Sequence, residues 1–108
     1  MREAYEQSLL LKGDDPHVRY NLAWLYATCE QLELRDPPRA LELALKAAAM
    51  MEEPHILDTL AESYYVNKFY DLAVETEMRA LKIARDNRGY YKEQLEKYKQ
   101  LSPDDTTE

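Results

Sequence analysis

The strongest constraint on the fold is an internal repeat. Residues 20–26 and 58–64 share one pattern, with Leu, Ala and Tyr at the third, fourth and seventh places, and the two copies lie 38 residues apart. Each copy is followed by a pair of alanines spaced seven residues apart, namely Ala40 with Ala47 and Ala73 with Ala80. Self-similarity with a period of about 20–50 residues predicts a structural unit that stacks on its neighbour and shares a core with it.

The spacing of apolar residues predicts that each unit is helical. Apolar side chains recur three and four positions apart, as in Leu57, Leu60, Ala61 and Tyr64, and this spacing marks one face of a helix. β-Branched residues are few and never alternate over a run, so no strand is predicted. We predict helices near residues 3–12, 16–31, 38–51, 55–67, 70–87 and 90–101.

Proline and glycine mark the predicted helix boundaries. Asp15 and Asp36 each precede a proline, which is the arrangement of an N-cap followed by proline at the first helical position. Glu53 precedes Pro54 as a weaker version. Gly13 and Gly89 are the chain's two glycines, and both fall where a left-handed C-cap is expected to end a helix.

Composition excludes several classes of function. A net charge of −7 and a pI near 4.9 argue against a nucleic-acid phosphate footprint. The single cysteine, Cys29, excludes an internal disulfide and a Cys-rich zinc site. No apolar stretch is long enough to span a membrane, and the N-terminal residues have no apolar signal core. These features favour a soluble protein of a reducing cytoplasm.

The repeat resembles the tetratricopeptide repeat (TPR), a helix–turn–helix unit of about 34 residues. Leu22, Ala23 and Tyr26 stand at the Leu, Gly and Tyr places of its first helix, and the second copy repeats them. The four paired alanines stand at the small places of its second helix. The departures from the pattern are Arg19 and Leu57 at the Trp place, Ala44 and Glu77 at the Phe place, and Glu52 and Arg85 at the Pro place. The residues from Asn21 to Ala61 together look most like TPR segments of bacterial proteins.

The resemblance implies an all-α fold, a right-handed superhelical stack of antiparallel helical hairpins (an α-solenoid). Residues 1–101 then form a single domain with a disordered tail at 102–108. Within it we expect the second helix of a truncated repeat at 1–13, two full repeats at 16–52 and 54–87, and a capping helix at 88–101. The chain is then a fragment of a longer TPR protein, and the unpartnered first helix, with Tyr5, Leu9 and Leu10, is a candidate surface for self-association.

TPR proteins bind partners in a concave groove lined by the first helix of each repeat. The repeat phase predicts that groove residues here are His17, Tyr20, Asn21, Trp24, Thr28, His55, Asp58, Thr59, Glu62, Tyr65 and Val66. The Lys, Asn and Arg set that clamps chaperone carboxylates in this family is absent apart from Asn21. An apolar shelf of Tyr20 and Trp24 beside the carboxylates of Asp58 and Glu62 favours a peptide with apolar and basic side chains. The alternative is that the two aromatic residues pack on a missing upstream repeat.

The most consistent function is a protein–protein interaction scaffold with no catalysis and no cofactor. The first alternative is an accessory repeat segment of a larger enzyme or signalling protein. A third possibility, a nucleic-acid-binding helical repeat, is disfavoured because the predicted groove contains no Lys or Arg.

Few side chains are spaced as a metal site or a catalytic site requires. His17 and His55 occupy the same phase in the two repeats, but helices about 10 Å apart are expected to hold them too far from each other for joint metal ligation. Cys29 has no basic neighbour in sequence, which predicts a structural thiol. Asp58 and Glu62 share a helix face, and such a pair is more often part of a recognition surface, or simply solvated, than an acid–base pair. Leu32 and Leu34 either extend the preceding helix and pack or form an exposed contact.

Overall fold

The structure, a computed structural model, describes residues 15–29, 31, 33 and 35–100, and this part of the chain is all-helical with no strand. It contains five helices: α1 (Pro16–Thr28), α2 (Pro37–Met50), α3 (Pro54–Val66), α4 (Tyr70–Ile83) and α5 (Arg88–Gln100). The prediction of an all-α chain is therefore confirmed over these residues. The predicted helix at 3–12 with its self-association surface, Gly13, the pair Leu32 and Leu34, and the tail at 102–108 lie outside the described residues.

The helix starts follow from the proline signals. Asp15 Oδ1 accepts a hydrogen bond of 2.9 Å from the backbone N–H of His17, and Asp36 Oδ1 accepts one of 3.3 Å from the N–H of Arg39. Both residues are N-caps, as predicted. Glu53 holds the same position before α3, but its side chain makes no capping hydrogen bond.

Two helices end earlier than their apolar pattern predicts. Helix α1 ends at Thr28 rather than near residue 31, because Cys29 leaves the helical conformation with ψ 134°. Helix α4 ends at Ile83 rather than near residue 87, because Ala84 turns to an extended ψ of 136°. The Arg88 guanidinium then donates hydrogen bonds to the carbonyls of Leu81 (2.6 Å) and Ala84 (3.0 Å), which satisfies carbonyls that the helix end leaves without partners.

The prediction that Gly89 stops a helix is wrong. Gly89 is the second residue of α5, and the left-handed position in this connection is Asn87, with φ 57°. Asparagine tolerates this conformation better than most residues. The short connection between α3 and α4 uses Lys68 in the same way, with φ 70°.

Packing runs along the chain. The most extensive contacts join α3 with α4 and α1 with α2, and α1 also packs on α3. The small-residue positions of the repeat lie where helices pack together. The alanines at these positions are all fully buried, as are Ala23 and Ala61. They are Ala40, Ala47, Ala73 and Ala80. One apolar cluster forms among α1, α2 and α3 around Leu22, Tyr26, Leu43 and Leu57. None of the five described helices combines the length and apolar character that a membrane span needs.

Candidate functional site

The candidate site is a pocket of about 260 Å³ between helices α1, α3 and α5. Its lining combines aromatic rings with a few polar groups. These residues are Tyr20, Asn21 and Trp24 from α1, His55, Asp58 and Thr59 from α3, and Tyr90 and Tyr91 from α5. A concave, largely aromatic surface with a small number of polar groups is typical of binding sites.

The pocket gathers part of the predicted groove. Six of the eleven predicted groove residues line it, and the other five do not. These five are His17, Thr28, Glu62, Tyr65 and Val66. His17 stacks on His55 and meets the edge of Tyr20 beside the pocket. The hydroxyl of Thr28 donates to the Trp24 carbonyl at 2.8 Å within α1. Tyr65 packs against Tyr98 of α5, with ring centroids 5.0 Å apart.

Two lining residues, Tyr90 and Tyr91, are not among the predicted groove residues, because the sequence predicts residues 88–101 only as a capping helix. A signal was nevertheless present. Tyr90, Gln94 and Tyr98 follow one another at intervals of four, which places them on one face of a helix. In the structure this face lies on α3.

The structure corrects the predicted open acidic patch. Asp58 and Glu62 are 5% and 6% exposed, because α5 covers them. Asp58 accepts hydrogen bonds from the hydroxyl of Tyr90 at 3.0 Å and from Nε2 of Gln94 at 3.3 Å. Asp58 therefore lines the pocket as a nearly buried carboxylate whose oxygens already accept hydrogen bonds within the fold.

Glu62 is paired by two further groups of α5. Its Oε1 accepts a hydrogen bond of 2.6 Å from the Tyr98 hydroxyl and one of 3.1 Å from Lys97 Nζ. Lys97 Nζ also lies 5.2 Å and 5.0 Å from the ring centroids of Tyr65 and Tyr98, within cation–π range. The charge of Glu62 is therefore satisfied inside the fold.

Glu77 of α4 completes a cluster of three buried carboxyl groups with Asp58 and Glu62. It is fully buried, and among the described residues no donor reaches either of its oxygens. Burial, followed by the negative charge of Asp58, raises the pKa of Glu77 to about 10. Burial also raises the pKa of Asp58. At neutral pH Glu77 is thus a carboxylic acid, because the neutral form avoids a second buried negative charge beside Asp58.

The expectation that the two histidines lie too far apart is wrong. Their rings stack with centroids 6.0 Å apart. Glu53 joins them, and one potential ligand atom from each of His17, Glu53 and His55 lies within 4.8 Å of those of the other two. The estimate from the helix spacing failed because both side chains project from the first turn of their helices toward each other.

We compared the chain with models of protein families, with curated proteins and with solved structures, and nothing matches. The geometry of the pocket and its surroundings therefore carries the functional argument.

Proposed function

We propose that this chain is a protein-interaction module built from TPR-like helical hairpins. It binds a partner peptide through the aromatic pocket between α1, α3 and α5. The sequential packing of helix pairs and the fully buried alanines at both copies of the small places support the TPR-like architecture. A right-handed superhelix continued by further repeats is part of the same proposal.

The observation that carries the binding role is the composition of the pocket. Tyr20, Trp24, Tyr90 and Tyr91 provide aromatic surface in one concavity, and aromatic residues dominate binding energy at protein interfaces. The volume of about 260 Å³ is below the range of pockets for whole small-molecule ligands. It suits one or two side chains of a longer partner.

The partner chemistry follows from the lining. The faces of aromatic rings attract Lys and Arg, and Asp58, which is also a lining residue, adds a carboxylate acceptor. Among the residues that the structure describes, no Lys or Arg lines the pocket, so none of them repels a cationic side chain. We therefore propose a peptide with an apolar residue next to a basic one. Binding rather than catalysis is favoured, because the carboxyl with the most perturbed pKa, Glu77, is fully buried away from any substrate.

Trp24 is the only tryptophan of the chain, so its fluorescence reports directly on the pocket. Titration with short peptides that pair Leu with Arg or Lys is expected to shift Trp24 emission saturably, and acidic peptides of the same length are not. Tyr20→Ala removes one wall and is expected to weaken binding about tenfold or more. Tyr70→Ala, which changes a tyrosine of α4 outside the pocket, serves as the matched control.

The proposal fails if no basic or apolar peptide perturbs Trp24. Equal affinities for the Tyr20→Ala and Tyr70→Ala chains contradict it as well. If a partner captured from solution also binds the Trp24→Ala chain, the proposed role of the pocket is contradicted too.

A further inference from the structure

We propose that His17, Glu53 and His55 form a binding site for one divalent first-row transition-metal ion, with Zn²⁺ as the ion that this donor set suits. The inference does not rest on the peptide-binding role. It rests on two imidazoles and a carboxylate that come from two different helices and converge within 4.8 Å of one another. Two histidines and one glutamate, with a position left for water, are a ligand set that zinc proteins use.

The spacing of the donors fits a metal ion. His55 Nε2 and Glu53 Oε1 lie 3.2 Å apart. Zn–N and Zn–O bonds of about 2.0–2.1 Å place neighbouring ligands of a tetrahedral ion roughly 3.3 Å apart. These two atoms therefore already lie at the separation that joint ligation requires. A donor atom of His17 lies within 4.8 Å of both, so a change of its side-chain torsions is enough to bring it into the same coordination sphere.

The side chain of Glu53 does not cap the helix that it precedes. Glu53 is the N-cap residue of α3, yet its side chain makes no capping hydrogen bond and is directed to His55 instead. Asp15, the equivalent residue of α1, does cap its helix. The carboxylate of Glu53 thus stays available as a ligand without loss of a cap.

Asp15 provides the outer shell of the site. Its Oδ1 lies 3.2 Å from Nδ1 of His17, and a carboxylate on one ring nitrogen fixes the tautomer that leaves the other nitrogen free for a metal. The positive ends of the α1 and α3 dipoles disfavour a cation here. The two carboxylates of Asp15 and Glu53 offset this effect and match the charge of a divalent ion.

The site is also accessible and partly shielded. The side chains of His17, Glu53 and His55 are 48%, 43% and 41% exposed, so an ion can enter from solvent. Tyr20 packs its ring against both histidines, with centroid distances of 5.9 Å and 5.0 Å. This contact restricts the two rings before any ion binds.

The test is a Zn²⁺ titration of the full chain, followed by calorimetry and by NMR of the histidine rings. The chain has two histidines, so both ring signals are expected to shift together and to saturate at one equivalent. His55→Ala and Glu53→Gln are each expected to weaken binding about tenfold or more. Glu75→Gln, the same chemical change at an exposed position of α4, and Cys29→Ser are expected to leave it unchanged.

Circular dichroism of each variant checks that the fold is retained, which is expected because the side chains of Glu53 and His55 are partly exposed. Three outcomes overturn the proposal. They are the absence of saturable binding, a shift of only one histidine, and equal affinities for the Glu53→Gln and Glu75→Gln chains.

Discussion

Helices α1 and α3 carry the same Leu, Ala and Tyr spacing, but they have different surroundings. In α1 the buried residues are Leu22, Ala23, Tyr26 and Ala27. In α3 eight consecutive residues, from Ile56 to Ser63, are buried. The contrast is sharpest at equivalent places, since Leu25 is 43% exposed and Ser63 is fully buried. Helix α3 packs against α1, α2 and α4. Its polar residues are therefore buried as well, although its sequence pattern predicts only one buried face.

The second helices of the two copies show the same contrast. Ala44 of α2 and Glu77 of α4 stand at the same repeat place, and both are fully buried. Ala44 lies in an apolar cluster, whereas Glu77 lies beside two other carboxyl groups. The first hairpin is therefore stabilised by apolar packing that does not depend on pH. The second depends on a buried proton and on donors from α5.

The largest expected effect tests the apolar hairpin. Leu43 is fully buried among apolar side chains, so Leu43→Ala should lower the free energy of unfolding by about 2–5 kcal/mol. The loss should be the same at about pH 5 and about pH 8. Leu45→Ala changes a 44% exposed leucine of the same helix and should cost at most about 0.5 kcal/mol. Urea denaturation followed by circular dichroism measures both, and a marked pH dependence of the Leu43→Ala effect contradicts the comparison.

The next effect tests the buried proton. The folded pKa of Glu77, about 10, lies above its ordinary value of 4.5, so between these values the folded chain binds one proton more than the unfolded chain. The stability that Glu77 contributes is therefore complete below pH 4.5. It falls as pH rises toward 10, with a slope of up to about 1.4 kcal/mol per pH unit.

Glu77→Gln removes this proton linkage while it keeps the size of the side chain. We expect the variant to be more stable than the natural chain by on the order of 2 kcal/mol at about pH 8, with the gain shrinking toward pH 5. Glu75→Gln, on the exposed face of α4, should show no such trend. Unfolding free energies measured across this pH range decide the matter, and parallel curves for the Glu77→Gln and natural chains would rule out a buried proton.

A smaller effect tests the role of α5 as a donor. The Tyr98 hydroxyl gives Glu62 its shortest hydrogen bond, 2.6 Å, so Tyr98→Phe should cost about 1–2 kcal/mol because a buried carboxylate loses a donor. Tyr91→Phe removes a hydroxyl of the same helix that donates to neither Asp58 nor Glu62, so it should lower the free energy of unfolding by less. Thermal or urea unfolding compares the two, and equal losses argue against a specific role for Tyr98.

The smallest effect tests the helix starts. Asp36 caps α2 through the N–H of Arg39, whereas Glu53 makes no capping bond to α3. Asp36→Ala is expected to cost about 1 kcal/mol, and Glu53→Ala to stay within about 0.5 kcal/mol. If the Glu53→Ala loss equals that of Asp36→Ala, the difference between the two starts is not supported.

Much of the fold was predictable from local signals. The prolines after Asp15, Asp36 and Glu53 located three helix starts to within one residue, because capping and the fixed φ of proline act within a few residues. The helix ends were less predictable. An apolar pattern continues past Thr28 and Ile83, and the competing conformations of Cys29 and Ala84 leave no comparable mark in the sequence.

The sequence by itself determined an all-α chain with two related units and alanines at helix contacts, since periodicity and capping are local properties. Only the tertiary structure decided which predicted groove residues meet in a pocket. It also buried Asp58 and Glu62 under α5 and brought His17 within reach of His55. These outcomes depend on which helix covers which face, and burial is what turns a surface carboxylate into a group that needs a donor or a proton.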